Sequence, residues 1–231
     1  MVEAIIDIPF ELYVEEFFER LRVKPGSKYA KDLGSMIDHV KKVAKPKAIY
    51  RESYIEAKGE ETVTIDGITF TSRVLRRNLD KVERVFPYVA TCGKEVDGIE
   101  ISQGDFLKSF WLDTIKSHLL EISIHTLSEL LDRKYRLGNT SSMSPGAGDA
   151  IVLPIEQQME LFSLFDDIER LIGVRLTDSF LMLPTKSLSG IRFQTEIDFR
   201  SCQLCYRKNC VSRMAPFDKE LWDSIQNEQK P

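Results

Sequence analysis

The sequence lacks any uncharged apolar run near the roughly 18 residues that would span a bilayer, so no membrane segment is expected. It also lacks a basic excess. Its 32 Lys and Arg face 36 Asp and Glu, a net charge of −4, which gives no bulk electrostatic footprint for nucleic acid. Histidine is scarce, with only His39, His118 and His125, and these are scattered. No Ser-His-Asp set, paired-carboxylate motif or His-rich metal signature can be read. Internal repeats and low-complexity segments are missing too. The opening stretch MVEAIIDIPF is acidic from Glu3 and has no basic n-region, so a secretory signal is not expected and a cytoplasmic location is.

What is present belongs to a globular protein: 42% hydrophobic and 10% aromatic residues in a 231-residue chain, enough for one sizeable core. Residues 10 to 22 place Leu12, Phe17, Phe18 and Leu21 near one helical face, closed by Pro25 and Gly26. A second helix is predicted over 28 to 44 from Leu33, Met36, Ile37 and Val40, stopping before Pro46. The texture then turns to strands at 48 to 57 and 62 to 66, and Asp66-Gly67 signals a hairpin into ITFTS. Residues 73 to 82 read as helix and 82 to 93 end as a buried strand.

The longest signal is residues 105 to 135, where Leu107, Trp111, Ile115, Leu119, Ile122, Leu127, Leu130 and Leu131 follow helical spacing and Gly138 offers a stop. At 1.5 Å per residue this helix would be about 45 Å long. One further helix is predicted over 154 to 172, opened by Pro154 and stopped by Gly173, with short strands at 179 to 184 and 189 to 197. No regular βαβ alternation appears. The expectation is an α+β single domain whose twisted, mainly antiparallel sheet is flanked by helices, including one long central helix. Its body would be residues 1–198, with a cysteine-containing segment, 199–231, packed on it or appended to it.

Two stretches stand out chemically. Pro145, Gly146 and Gly148 bring a side-chain-free turn just before the predicted 154–172 helix, a place where backbone N–H groups could meet an anion. The alternative is a plain connector between helices. The second stretch is SCQLCYRKNC, with Cys202, Cys205 and Cys210 spaced C-x2-C-x4-C. Three thiolates could hold zinc or an iron–sulfur cluster, with Cys92, an outside ligand or a substrate in the fourth position, or they could be free thiols.

The order SPGAGD, PIEQQMELF and IGVRLTDSFLMLPTKSLSG resembles the activation domain of cobalamin-dependent methionine synthase, and more closely its stand-alone subunit form. The matching pieces are Ser144 to Gly146, Gly173 to Ser179 and Pro184 to Ser189, which together span about 50 residues of the 231, with weaker similarity back through FLKSFWLDTIKSH. The resemblance implies reductive methylation of cob(II)alamin with S-adenosylmethionine, in service of a cobalamin-binding methyltransferase or corrinoid protein. A flavodoxin- or ferredoxin-type donor would supply the electron. The implied S-adenosylmethionine contacts are Ser144, Pro145, Gly146, Ala147, Gly148, Asp149 and Lys186. Two positions depart from the family pattern: Ser142 stands where an arginine suited to the methionine carboxylate is usual, and Ala147 where a tyrosine is usual. Lys186, Arg192 and Arg136 are the candidates to replace the missing charge. Stand-alone relatives often end in a similar three-cysteine stretch. The alternative function is a corrinoid-protein binding module, or a cysteine-metal electron-transfer subunit, that does not take S-adenosylmethionine.

Overall fold

The computed structural model describes residues 2–5, 7–210 and 213–227. In chain order, β1 (Val2–Ile5) precedes helices α1 (Val14–Arg20) and α2 (Lys28–Val43). Strands β2 (Lys47–Arg51), β3 (Ser53–Lys58), β4 (Thr62–Ile65) and β5 (Ile68–Thr71) lead to α3 (Arg73–Asn78) and β6 (Arg84–Thr91). The long helix α4 (Phe106–Tyr135) is followed by β7 (Thr140–Met143), α5 (Gln158–Ser163) and α6 (Ile168–Ile172). Two-residue strands β8 (Arg175–Leu176) and β9 (Met182–Leu183), then β10 (Ser187–Gln194) and α7 (Lys219–Asn227), complete the fold.

Every pairing is antiparallel, and β6 is the hub, bonded to β10 on one edge and to β2 and β3 in turn on the other. A proline in so central a strand needs an explanation, because it has no N–H for the ladder. Pro87 falls between the stretch paired with β3, which ends at Val85, and the stretch paired with β2, which starts at Tyr88. The strand changes partners where it has no N–H to give. At the β4–β5 hairpin, Asp66 (φ 45°) and Gly67 (φ 81°) are both left-handed, as the two-residue turn requires.

Helix α2 forms as its spacing predicts, with the Ser27 hydroxyl accepting from the Ala30 N–H and Leu33, Met36, Ile37 and Val40 buried. In α4, Asp105 caps the first turn by accepting from the Lys108 N–H. The buried stripe starts at Trp111; Leu107 is 43% exposed. Ser123 takes the place on that stripe between Leu119 and Leu127, its hydroxyl 3.0 Å from the carbonyls of Thr91 and Leu119. The helix ends on Arg136 in the left-handed region (φ 52°), two residues before the expected Gly138.

The expected 154–172 helix is two short ones. Pro154 is extended and opens a single 3-10 turn, then α5 ends at Ser163 and Asp167 caps α6. Leu161, Leu164, Phe165, Ile168 and Ile172 all enter one core with Val85, Val89, Ile191 and Phe193 of the sheet. Leu204 and Ile225 of the C-terminal segment are buried in that same core. The opposite sheet face, with Tyr50, Phe86, Tyr88 and Ala90, packs on Leu127 and Leu131 of α4, while the first half of α4 packs with α1 and α2. Among the described residues no helix is long and apolar enough to cross a membrane.

Candidate functional site

The register of β7 on β10 sets Ser142 opposite Arg192 and Met143 opposite Ile191, so Ser144 arrives beside Gly190. Gly190 has no side chain because there is no room for one. A Cβ there would lie 2.8 Å from Ser144 Oγ, 2.9 Å from Tyr88 Oη and 3.0 Å from the Met143 carbonyl oxygen. Cross-strand neighbours share a face, so Tyr88, Ser142, Ser144 and Arg192 form one polar strip on the α4 side of the sheet. Within it Tyr88 Oη and Ser142 Oγ are 3.1 Å apart. Arg192 donates through Nη2 to both Asp132 oxygens, at 2.9 and 3.1 Å, and through Nη1 to Ser128 Oγ at 3.2 Å. Its side chain is 17% exposed and its Nε is buried without an acceptor.

Residues 144–149 do form a tight turn beyond β7, with Gly146 (φ 77°) and Gly148 (φ 90°) in conformations that favour glycine. The expected use of its backbone is not what the turn shows. The N–H of Gly146 donates to Leu153 O, that of Ala147 to Ser144 O and that of Asp149 to Leu204 O. The close approach at Gly148 is to the chain itself, since a Cβ would sit 2.9 Å from the Ser201 carbonyl. Pro145 is buried, Gly146 and Gly148 are exposed, and Ser144, Ala147 and Asp149 are half-buried. Asp149 Oδ1 accepts from the Ile151 N–H. The helix N-terminus expected downstream is a 3-10 turn running into the six-residue α5, too short to supply the macrodipole a long helix would.

Of the three candidates for the missing positive charge, Arg192 alone stands beside Ser142. Lys186 precedes β10 and pairs with Asp113 of α4, Nζ to Oδ2 2.9 Å. It is four residues from Gly190, about 13 Å along an extended strand. Arg136 caps the far end of α4. The other motif serines bond within the protein: Ser189 donates to Gln158 Oε1 at 2.5 Å and Ser187 to the Pro184 carbonyl at 2.7 Å. Thr177 and Ser179 hydroxyls, 3.0 Å apart, shape a turn beside a hollow of about 540 Å³ lined by Met159, Phe162 and Phe180. The residues that sequence reasoning passed over are Tyr88, Asp132 and Gly190. Only Gly190 carried a signal, as a glycine inside a strand, which marks close approach.

The cysteines do not support the expected metal centre. Cys202, Cys205 and Cys210 are free and half-buried, and among the described residues no three His, Cys, Asp or Glu side chains gather as a metal site. Arg213 organises this turn instead: its guanidinium donates to the carbonyls of Cys202, Cys205 and Ala215, each at 3.1 Å, and to that of Arg207. Cys92 is not a fourth ligand. It lies in the core formed with α1 and α2, apart from the core that holds Leu204, and burial pushes its thiol pKa up to about 12, with Asp97 adding to the shift.

No family model and no curated protein sequence matches this chain. Among solved structures, the chain resembles the crystal structure of the MetH reactivation domain bound to AdoHcy. The match has a TM-score of 0.59 at 15% sequence identity and covers 87% of this chain and 80% of that one. At that identity the likeness is one of fold, and the chain has the fold of the MetH reactivation domain.

Proposed function

We propose that this chain is a reactivation subunit for a corrinoid-dependent methyltransferase, holding S-adenosylmethionine at the β7–β10 edge and presenting it to cobalamin carried by a partner protein. The observation that carries the reading is the shared fold with a domain bound to AdoHcy, the product left when S-adenosylmethionine gives up its methyl group. The polar strip around Gly190 supports it. The methionine end of the ligand carries a carboxylate and an ammonium, which could take the place of the Arg192–Asp132 contact beside Ser142, each pairing with the group of opposite charge. Ser144 and Tyr88 add hydroxyls, and the 145–149 turn forms a wall next to them.

The chemistry asks for alignment more than for acid–base catalysis. S-adenosylmethionine supplies the methyl group and the corrinoid, reduced by a flavodoxin- or ferredoxin-type donor, supplies the nucleophile. The chain's own part is to hold the ligand in line and keep water out. A second reading is favoured by the internal hydrogen bonds of Gly146, Ala147 and Asp149, which leave the turn little to offer a ligand. In that reading the chain caps a partner's corrinoid without S-adenosylmethionine.

Calorimetric titration of the full chain with S-adenosylmethionine and with S-adenosylhomocysteine separates the two. Binding that Arg192→Met weakens about tenfold or more, a loss of about 1.4 kcal/mol, with the variant melting as a folded protein, is the expected result. No heat at millimolar ligand removes the methyl-transfer reading and leaves the capping module.

A further inference from the structure

Cys202 and Cys205 share the single 3-10 turn that starts at Ser201, and the Cys205 N–H closes that turn by donating to the Cys202 carbonyl at 3.3 Å. A 3-10 turn rises about 2.0 Å per residue and stacks side chains three apart on one side, so the two Cα atoms stand about 6 Å from each other. That separation falls inside the roughly 4.4–6.8 Å over which a disulfide closes without backbone movement. Both thiols are free and half-buried.

More than the turn itself fixes this spacing. Arg213 donates through Nη1 to the Cys202 carbonyl and through Nη2 to the Cys205 carbonyl, each at 3.1 Å, so one planar group holds both residues. Cys202 Sγ accepts from the Met214 N–H at 3.4 Å. Between the two cysteines, the Gln203 carbonyl accepts from the Asp218 N–H at 2.8 Å and Leu204 is buried in the core. Cys210 lies outside the turn, beyond the exposed residues 206–209, and Cys92 belongs to a different core.

The same turn grips the loop of the candidate site. The Leu204 carbonyl accepts from the Asp149 N–H at 3.1 Å, and the Ser201 carbonyl lies against Gly148, where a Cβ would come within 2.9 Å of it. A bond between the cysteines on either side of Leu204 stiffens the segment on which residues 144–149 rest. We propose that Cys202 and Cys205 are a reversible dithiol–disulfide pair that exchanges with low-molecular-weight disulfides, and that its state sets how firmly the C-terminal segment holds the 144–149 turn. One cysteine, as thiolate, attacks a sulfur of the oxidant, which releases one small thiol and leaves a mixed disulfide. The other then attacks the protein sulfur of that mixed disulfide, forming the Cys202–Cys205 bond and releasing the second small thiol. Two electrons pass from the chain to the oxidant, and the two thiol protons end on the two released thiols. The pair does not depend on the S-adenosylmethionine reading.

The test is incubation of the full chain with oxidised glutathione, followed by peptide mass mapping before and after dithiothreitol. The expected product has lost two hydrogens, carries a Cys202–Cys205 link and returns to its starting mass on reduction. Cys210→Ser should form the same link. Cys205→Ser should instead retain glutathione on Cys202, since its resolving partner is gone. Hydrogen exchange read by mass spectrometry checks the coupling to the turn. The Asp149 amide should exchange about tenfold more slowly in the linked chain, because closing a small loop removes freedom from the opened segment. Glutathione-treated Cys205→Ser should show no such slowing. The proposal is overturned if oxidised glutathione leaves the two thiols free or only in mixed disulfides, if the link runs to Cys210 or needs it, or if the Cys202–Cys205 link forms without slowing exchange at Asp149.

Discussion

Replacing Gly190 by alanine tests the central piece of geometry. The backbone permits alanine there, since Gly190 is not among the residues with positive φ. The obstacle is space, because the added methyl meets Ser144 Oγ at 2.8 Å, Tyr88 Oη at 2.9 Å and the Met143 carbonyl at 3.0 Å. Forcing a methyl group into such a site costs about 1–3 kcal/mol. Removing glycine's freedom from the unfolded chain offsets about 0.4–1 kcal/mol of that. The net expectation is a loss of about 1–2 kcal/mol, or about 2–8 °C in melting temperature for a chain of this size. Thermal unfolding followed by circular dichroism reads it directly. Ser144 is the nearest obstacle and its hydroxyl is the easiest to remove, so Ser144→Ala in the Gly190→Ala background should recover part of the loss. A Gly190→Ala protein that melts at or above the parent would refute the claim that β7 and Tyr88 close over this position.

Four further outcomes follow from the structure. Arg136→Gly relieves a left-handed residue at the end of α4 and should stabilise the protein by about 1 kcal/mol, seen as a higher urea midpoint at unchanged slope. Arg213→Ala removes a guanidinium that donates to four carbonyls; the C-terminal segment should loosen, with a stability loss of about 2–4 kcal/mol and faster proteolysis around Cys202 to Cys210 as the readout. Cys92, with its thiol pKa pushed from 9.0 to about 12, should stay unmodified by iodoacetamide at pH 8 while Cys202, Cys205 and Cys210 react, as peptide mass mapping would show. The same raised pKa makes the unfolded state the first to lose the Cys92 proton. Its contribution to stability is therefore complete below pH 9.0 and falls as pH rises toward about 12, so alkaline melts should show a declining limb.

How far the fold could be read depended on how local its cause was. Helix α2 needed only Ser27 and a 3/4 stripe, and the β4–β5 hairpin needed only Asp66-Gly67. Thirty residues of periodicity announced α4; Leu107 of the expected stripe is exposed, and Ser123, which the stripe passed over, is buried because it reaches Thr91 on a strand the helix pattern does not encode. The split between α5 and α6 had one local mark, Asp167, whose carboxylate caps α6 by accepting from the Arg170 N–H. At the cysteines, spacing suggested a metal, and the structure has Arg213 bonding the carbonyls of that turn.

The sequence by itself determined the α+β class, the long helix and the tight turn at Pro145 to Gly148, because propensity, capping and periodicity act over a few residues. Only the tertiary structure decided what that turn adjoins. Strand register placed Ser144 against Gly190 and Arg192 across from Ser142, and the fold closed the turn's own N–H groups onto Leu153, Ser144 and Leu204. Register is a property of two strands from distant parts of the chain, fixed by which faces they bury. So the residues that line the candidate site, and the cysteine turn that closes against its loop, came together only through the packing of the whole fold.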